Sequence, residues 1–509
     1  MVANPLRWKG TTWFYLAVAV LASAPAWIVK YPPIEDLPFH IAATRVIRSY
    51  SDPAYGFQEH FKLTFGRTQY VVYYLIASAL SLVFGVVKAN IVLMSVYLGG
   101  TVLALRELLR ALGRDERLCL LVVPLLYNVM FFFGLLPFLL GIPTMFFALA
   151  TSVRYFENPE PKRGLLLAVL ASLLFYSHVF PFGIFGLGFA AMFPWTRPRR
   201  WIGAGLPVVP ALLLLMRWTL GTDAGKLSRG ALTPSAEDGV QPINQALPGV
   251  FQWLTDIFHD VSDERVLVYF FVLIVLLLGL SAGDRDRAKP VAIPYVLLPL
   301  ACIFFYFTLG QGHGYIWLIS QRFPILFLMT AIPLLRMPEG LRGQAATLGM
   351  LALGIQASVN TCQHFIRFQL EEVGDLDGAI AEIPANKKVA ALIFDKSSSI
   401  VNFAPFLHFG SYYQAEKGGV IQFTYAGYAH WPFDFREGKY PPPGGAARPR
   451  WEWTPEQVSV KNELAPYYDY VLVRGNNFAA PPGTFRQKWR GDRWSVWERD
   501  AGTRVEGAN

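Results

Sequence analysis

Two adjacent carboxylates, Glu35 and Asp36, and an imidazole four residues further on, His40, lie in Tyr31-Pro-Pro-Ile-Glu-Asp-Leu-Pro-Phe-His40, directly after the first long apolar stretch. A carboxylate in such a loop can take a proton from a hydroxyl nucleophile. Two of them could instead hold Mg²⁺ or Mn²⁺, hard cations that prefer oxygen ligands. If the turn after Asp36 is helical, Asp36 and His40 share a face. Carboxylates beside a bilayer are costly to desolvate and are not needed for packing. Asp36, Glu35 and His40 are therefore the leading catalytic candidates. Cations that could meet a leaving phosphate are Arg45 and Arg48 just downstream, His178 in Ser177-His-Val-Phe-Pro181, and His313 and Arg322 in the aromatic stretch Gln311–Arg322. Asp256, His259, Asp260 and Asp263 recur at helical spacing, one face of a helix. That face could carry metal ligands or a substrate contact, or be a solvated polar face.

The elements that must position these groups are mostly membrane helices. The 509-residue chain is 53% hydrophobic and 16% charged, which sets it apart from ordinary soluble proteins. Apolar runs recur from Thr11 to near Asn360, and a helix needs about 20 such residues to cross a bilayer. Segments near 11–29, 69–87, 90–109, 118–133, 135–153, 164–180, 181–195, 201–219, 265–282, 291–310, 323–337 and 341–360 qualify. Residues 1–360 thus form a polytopic membrane domain of about 11–12 helices, and 361–509 a soluble domain. Met1–Val29 looks like a signal peptide, but its apolar run is too long for one, so it is an uncleaved first helix with a cytoplasmic N-terminus.

Clusters of Arg and Lys at 106–117, 154–163, 197–200, 285–289 and 336–342 belong on the cytoplasmic side. Loops 30–68, 221–264 and 311–322 and the C-terminal domain then fall outside. Residues 69–109 offer two segments where one crossing is needed, so one of them lies in the interface or re-enters. The three cysteines form no disulfide framework, and no nucleotide-binding, HExxH or CxxC pattern occurs. Nothing in the chain suggests nucleic acid.

In the C-terminal domain, Lys388–Phe394 and Asp469–Arg474 are strands of a buried type. Phe485–Trp489 and Trp494–Arg499 make a hairpin, and Glu371–Ile383 has helical spacing. The domain is α/β. Between its halves, Phe423–Trp453 is dense in aromatic rings that could fill a core or stack on sugars.

A first helix, an external loop with an acidic motif, many further helices and a C-terminal α/β domain together resemble the GT-C superfamily of polytopic glycosyltransferases. Glu35-Asp36 in Pro33-Ile-Glu-Asp-Leu-Pro-Phe-His40 is the residue-specific part of the likeness. The resemblance implies a polyprenyl-phosphate-linked sugar as donor and a lipid or glycan acceptor. It implies action on the extracytoplasmic face of the plasma (inner) membrane, and a role for Asp36, with Glu35 beside it, as catalytic base or metal ligand. The adjacent acids depart from a spaced Asp-x-Asp, which leaves a metal in question. The expected function is inverting glycosyl transfer with Asp36 as base. The alternatives are a non-catalytic scaffold of the same architecture, in which the acids cap a helix, and a transporter or flippase of lipid-linked glycans.

Overall fold

The computed structural model describes residues 9–230, 240–284, 289–442 and 450–500. Arg285 and Arg287, the middle of loop 221–264 and the glycines of Pro441–Gly445 lie outside the described residues. The chain forms two compact units. One comprises the residues up to Ile28, Val92–Phe131 and Leu135–Gln363. The other comprises Val29–Ile91, Phe132–Gly134 and the chain from His364 onward. The acidic loop therefore belongs with the C-terminal region and not with the apolar helices that flank it in sequence.

The first unit is helical. Among the described residues, four helices are long and apolar enough to cross a membrane: Val72–Ala111, Leu136–Glu157, Pro198–Gly221 and Gly340–Glu371. The first and last of these run past the unit boundaries. Small residues let the helices approach closely. A Cβ on Gly141 would stand 2.8 Å from Pro181, and one on Gly188 would stand 2.7 Å from Leu149. Outward faces are apolar, as at Leu206 (64% exposed), Leu213 (55%) and Val275 (67%). Such faces suit lipid and not water.

The two segments expected at 69–87 and 90–109 are two helices that meet at a kink within Val72–Ala111, at Gly85, whose φ of 74° only glycine adopts without strain. Two other sequence expectations are corrected. Residues 118–133 are not a continuous span. A 3₁₀ helix, Glu116–Leu125, contains Pro124, and Val129–Phe133 follows it. Asn128 interrupts the ladder by donating to the Leu125 and Leu126 carbonyls. The proposed polar helix face at 256–263 does not form. One helix ends at Gln252, the next starts at Ser262, and Asp256 takes a φ of 71°. The Asp263 carboxylate instead accepts from the Ile257 amide (2.7 Å) and the Thr255 hydroxyl (2.9 Å), local bonds that compete with a helix.

In the second unit, helix Leu37–Arg48 packs against helix Ser411–Lys417. Strand β1 (Phe61–Leu63) pairs antiparallel with Phe433–Phe435, placing Lys62 opposite Asp434. A five-stranded mixed sheet forms the rest. With β2 as Lys388–Ile393, β3 as Val420–Ile421, β4 as Phe433–Phe435, β5 as Tyr470–Arg474, β6 as Phe485–Arg490 and β7 as Trp494–Arg499, its order is β3-β2-β5-β7-β6. β2 runs parallel to β3 and β5, and the β6–β7 hairpin closes it antiparallel. β2, β5, β6 and β7 are the strands expected from the sequence, whereas β3 was not among them. The helix expected over 371–383 is shorter, Leu376–Ala381, with Asp375 capping it by accepting from the Gly378 amide.

One sheet face packs Ala390, Leu392, Val471 and Val473 against Trp451, Leu464 and Tyr468. At the end of β5, Arg474 is buried with its guanidinium 3.4 Å from the centroid of the Phe406 ring. It donates to the backbone carbonyls of Asp395 (2.9 Å) and Glu372 (2.8 Å). Gly410 lies so close to β2 that an added Cβ would stand 2.3 Å from the Ala391 Cβ. Gly410→Ala should therefore lower the thermal midpoint of the purified protein by several degrees, since overpacking a core costs about 1–3 kcal/mol. An unchanged midpoint would show that the turn 404–410 can recede from the sheet.

Candidate active site

Asp36 occupies the position just before helix Leu37–Arg48, and Pro38 in the first turn favours a helix start there. Its side chain makes no capping bond. The loop is held instead by backbone: the Glu35 amide donates to Phe132 O (2.9 Å) and the Asp36 amide to Phe133 O (3.1 Å). The next residue, Gly134, has φ 82°, and a Cβ there would stand 3.0 Å from both the Cβ and the amide of Asp36. A glycine is thus required where the two strands of backbone meet.

The Asp36 carboxylate is turned toward residues from far along the chain. His408 Nδ1 lies 2.9 Å from Asp36 Oδ1 as an ion pair. The Tyr425 hydroxyl donates to the same oxygen at 2.9 Å. Among the described residues, Oδ2 accepts no hydrogen bond, and the Asp36 side chain is 15% exposed. On its other edge, His408 donates from Nε2 to Glu452 Oε1 at 3.2 Å. The side chains of His408 and Glu452 are each only 3% exposed. Phe39, on the first turn of the helix, stacks on the His408 ring at 3.9 Å and 22°. Glu452 is fixed by its neighbour Trp451, part of the apolar layer under β2 and β5.

The two imidazoles of this region are driven in opposite directions. Burial would lower the His408 pKa, but its bonds and charge interactions with Asp36 and Glu452 outweigh that and lift it to about 9. His408 is a cation at neutral pH. His40 is lowered by burial to about 4, although Asp36 and the Gly134 carbonyl act the other way. A carbonyl only accepts, so His40 Nε2–H donates to Gly134 O (2.9 Å) and Nδ1 takes the Tyr74 hydroxyl proton (2.9 Å). Both nitrogens are engaged, and His40 braces the loop from behind.

The other residues singled out from the sequence fall as follows. Glu35 is 7% exposed. Arg45 donates to Ala415 O (2.7 Å) and lies over the Tyr55 ring, while Arg48 is exposed at the end of its helix. These belong to the second unit with Asp36 and His40. In the first unit, Arg322 donates to His178 Nε2 (2.8 Å) and to Trp317 O (3.0 Å), between the Phe138 and Phe180 rings. His313 exchanges backbone bonds with Ile316 across a tight turn. His259 is exposed and Asp256 half-buried in the irregular stretch before Ser262. His408, Tyr425 and Glu452 were missed. The only signal was a histidine within the apolar Phe406-Leu-His-Phe-Gly410 and an acid beside Trp451.

Among the described residues, no group of three or more His, Cys, Asp or Glu side chains is arranged to hold a metal ion. The donor set around Asp36 does not fit one: a hard cation needs oxygen acceptors, and Asp36 Oδ1 accepts from a phenolic hydroxyl and stands 2.9 Å from an imidazolium nitrogen. No protein-family profile matches the sequence, and no curated protein matches it either.

The two imidazoles give stability a pH signature. The His40 contribution is complete above the ordinary value of 6.5 and is lost as pH falls toward 4. The His408 contribution is complete below 6.5 and is lost as pH rises toward 9. The thermal midpoint of His408→Gln should therefore fall less between pH 6.5 and pH 9 than that of the wild type. Parallel curves for the two proteins in differential scanning fluorimetry would contradict the ion-paired state.

Proposed function

We propose that this protein is a polytopic membrane glycosyltransferase that moves a sugar from a polyprenyl-phosphate donor to a hydroxyl of a lipid or glycan acceptor, with Asp36 as general base. The observation that carries this reading is the state of the Asp36 carboxylate. Oδ1 is occupied by two donors, while Oδ2 takes no bond from the described residues. A carboxylate so held offers one oriented oxygen to an incoming hydroxyl. General-base catalysis needs that geometry first and basicity second.

Oδ2 takes the proton as the acceptor oxygen attacks the anomeric carbon. The bond to the phosphate oxygen breaks, the electron pair leaves with polyprenyl phosphate, and the anomeric configuration inverts. The leaving phosphate requires cations. Arg48 is the candidate beside the acidic loop. The absence of a capping bond from Asp36 speaks against the scaffold alternative, because an acid that merely closed a helix would accept from the first-turn amides.

The membrane placement that goes with this reading puts the acidic loop and the C-terminal region on the extracytoplasmic side of the plasma (inner) membrane. The N-terminus and the basic stretch 106–117 are then cytoplasmic. On this reading one of the two helices that meet at Gly85 lies in the interface or re-enters, which leaves the single crossing needed between residues 68 and 106.

The test is transfer by the purified protein in lipid nanodiscs, with a panel of polyprenyl-phosphate-linked hexoses and pentoses and a cell-envelope glycolipid extract as acceptor. Released polyprenyl phosphate is read by mass spectrometry. Asp36→Asn should lower turnover by at least about a hundredfold, within the span that a positioned base supplies, while leaving the thermal midpoint within a few degrees. Asp36→Asn protein that releases polyprenyl phosphate as fast as wild type would remove Asp36 from the base role.

A further inference from the structure

We propose that His408 is a positioning residue for Asp36, held in turn by Glu452, so that the C-terminal region supplies the group that selects which Asp36 oxygen meets the acceptor. This rests on the reading of Asp36 as the base. Three features of the geometry carry it. His408 Nδ1 and the Tyr425 hydroxyl are both 2.9 Å from Oδ1. The imidazole is clamped on its faces and edges, by Phe39 stacked at 3.9 Å and by Glu452 Oε1 at 3.2 Å from Nε2. Nearly all of its surface is removed from water, as is that of Glu452. A ring so confined cannot rotate away from Asp36 without losing that ion pair and the hydrogen bond to Glu452.

The order of parts is base, imidazole, second acid. A catalytic group is oriented by a neighbour that is itself oriented by a third group. Here the imidazole does not accept the substrate proton, because both of its N–H groups already face carboxylates. Its work is to set a positive charge against Oδ1 and so fix which way the Asp36 carboxylate faces. Glu452 compensates that charge on the far side and fixes the plane of the ring. The titratable groups facing His408 are Asp36 from the acidic loop, His40 from helix Leu37–Arg48, Tyr425 from the aromatic segment and Glu452 from the turn after Arg450. Of these, the two acids raise the His408 pKa.

The proposal is tested by two independent readouts. In the first, the full-length protein carries ¹³Cε1-histidine in nanodiscs, and the resonance of His408 is assigned by its loss in His408→Gln. It should titrate with a midpoint above pH 8, and the isosteric variants Asp36→Asn and Glu452→Gln should each lower that midpoint by at least one pH unit. A midpoint that stays put in Asp36→Asn would overturn the pairing, whatever the enzyme's activity. In the second, transfer kinetics should show His408→Gln and Glu452→Gln with kcat reduced about 10- to 100-fold and KM within twofold, as for loss of a group that orients a base. Wild-type kcat in His408→Gln would overturn the positioning role. Should wild type transfer no sugar from any donor in the panel, the glycosyltransferase reading falls, and the titration alone decides whether His408 holds Asp36.

Discussion

A buried imidazole between two carboxylates holds its positive charge because the attraction of the two acids outweighs the cost of its burial. Removing the imidazole would leave two acids side by side without a cation between them. This mutual dependence binds three stretches distant in sequence: the acidic loop at Asp36, the turn at His408 and the short 3₁₀ turn that ends in Glu452. The rest of the second unit is arranged to make the meeting possible. Trp451 anchors Glu452 to the sheet, Phe406 and Phe409 anchor the turn that carries His408, and Phe132–Gly134 holds the loop by its backbone.

The charge state and the fold are therefore one property. With all three groups ionised the cluster carries a net negative charge, and the two donors lie on the same oxygen of Asp36. His40, only four residues away, is kept neutral by the same burial that His408 overcomes through its two acids. The contrast turns on partners. His40 faces a hydroxyl and a carbonyl, which stabilise a neutral ring, whereas His408 faces two anions.

Much of this was legible in the sequence. Long apolar runs marked the helices, short apolar runs marked β2 and β5, and the turn residues Arg490–Arg493 marked the β6–β7 hairpin, because these signals are local. The acidic loop stood out because two carboxylates beside an apolar segment have no packing reason to be there. What the sequence did not reveal was long-range pairing. Nothing near Phe406–Gly410 indicates that its histidine meets an aspartate more than 370 residues upstream. The 256–263 segment misled for the opposite reason: its acids sit at helical spacing, but Asp263 satisfies backbone amides locally and ends the helix that the spacing suggested. The break within 69–109 was expected, and the structure places it at Gly85, a few residues before the expected gap.

The sheet of the second unit ends in β6, whose outward residues include Arg486, Lys488 and Arg490, with the register shifting between Gln487 and Trp489. A row of like positive charges on an edge repels a second copy of itself, and a bulge bends the ladder out of line with any incoming strand. The consequence concerns crowding in the plane of a membrane, where neighbouring copies meet repeatedly in the same orientation. An uncharged straight edge would there template chain-to-chain pairing. The bulge and the charged side chains on this edge disfavour strand pairing with a second copy there.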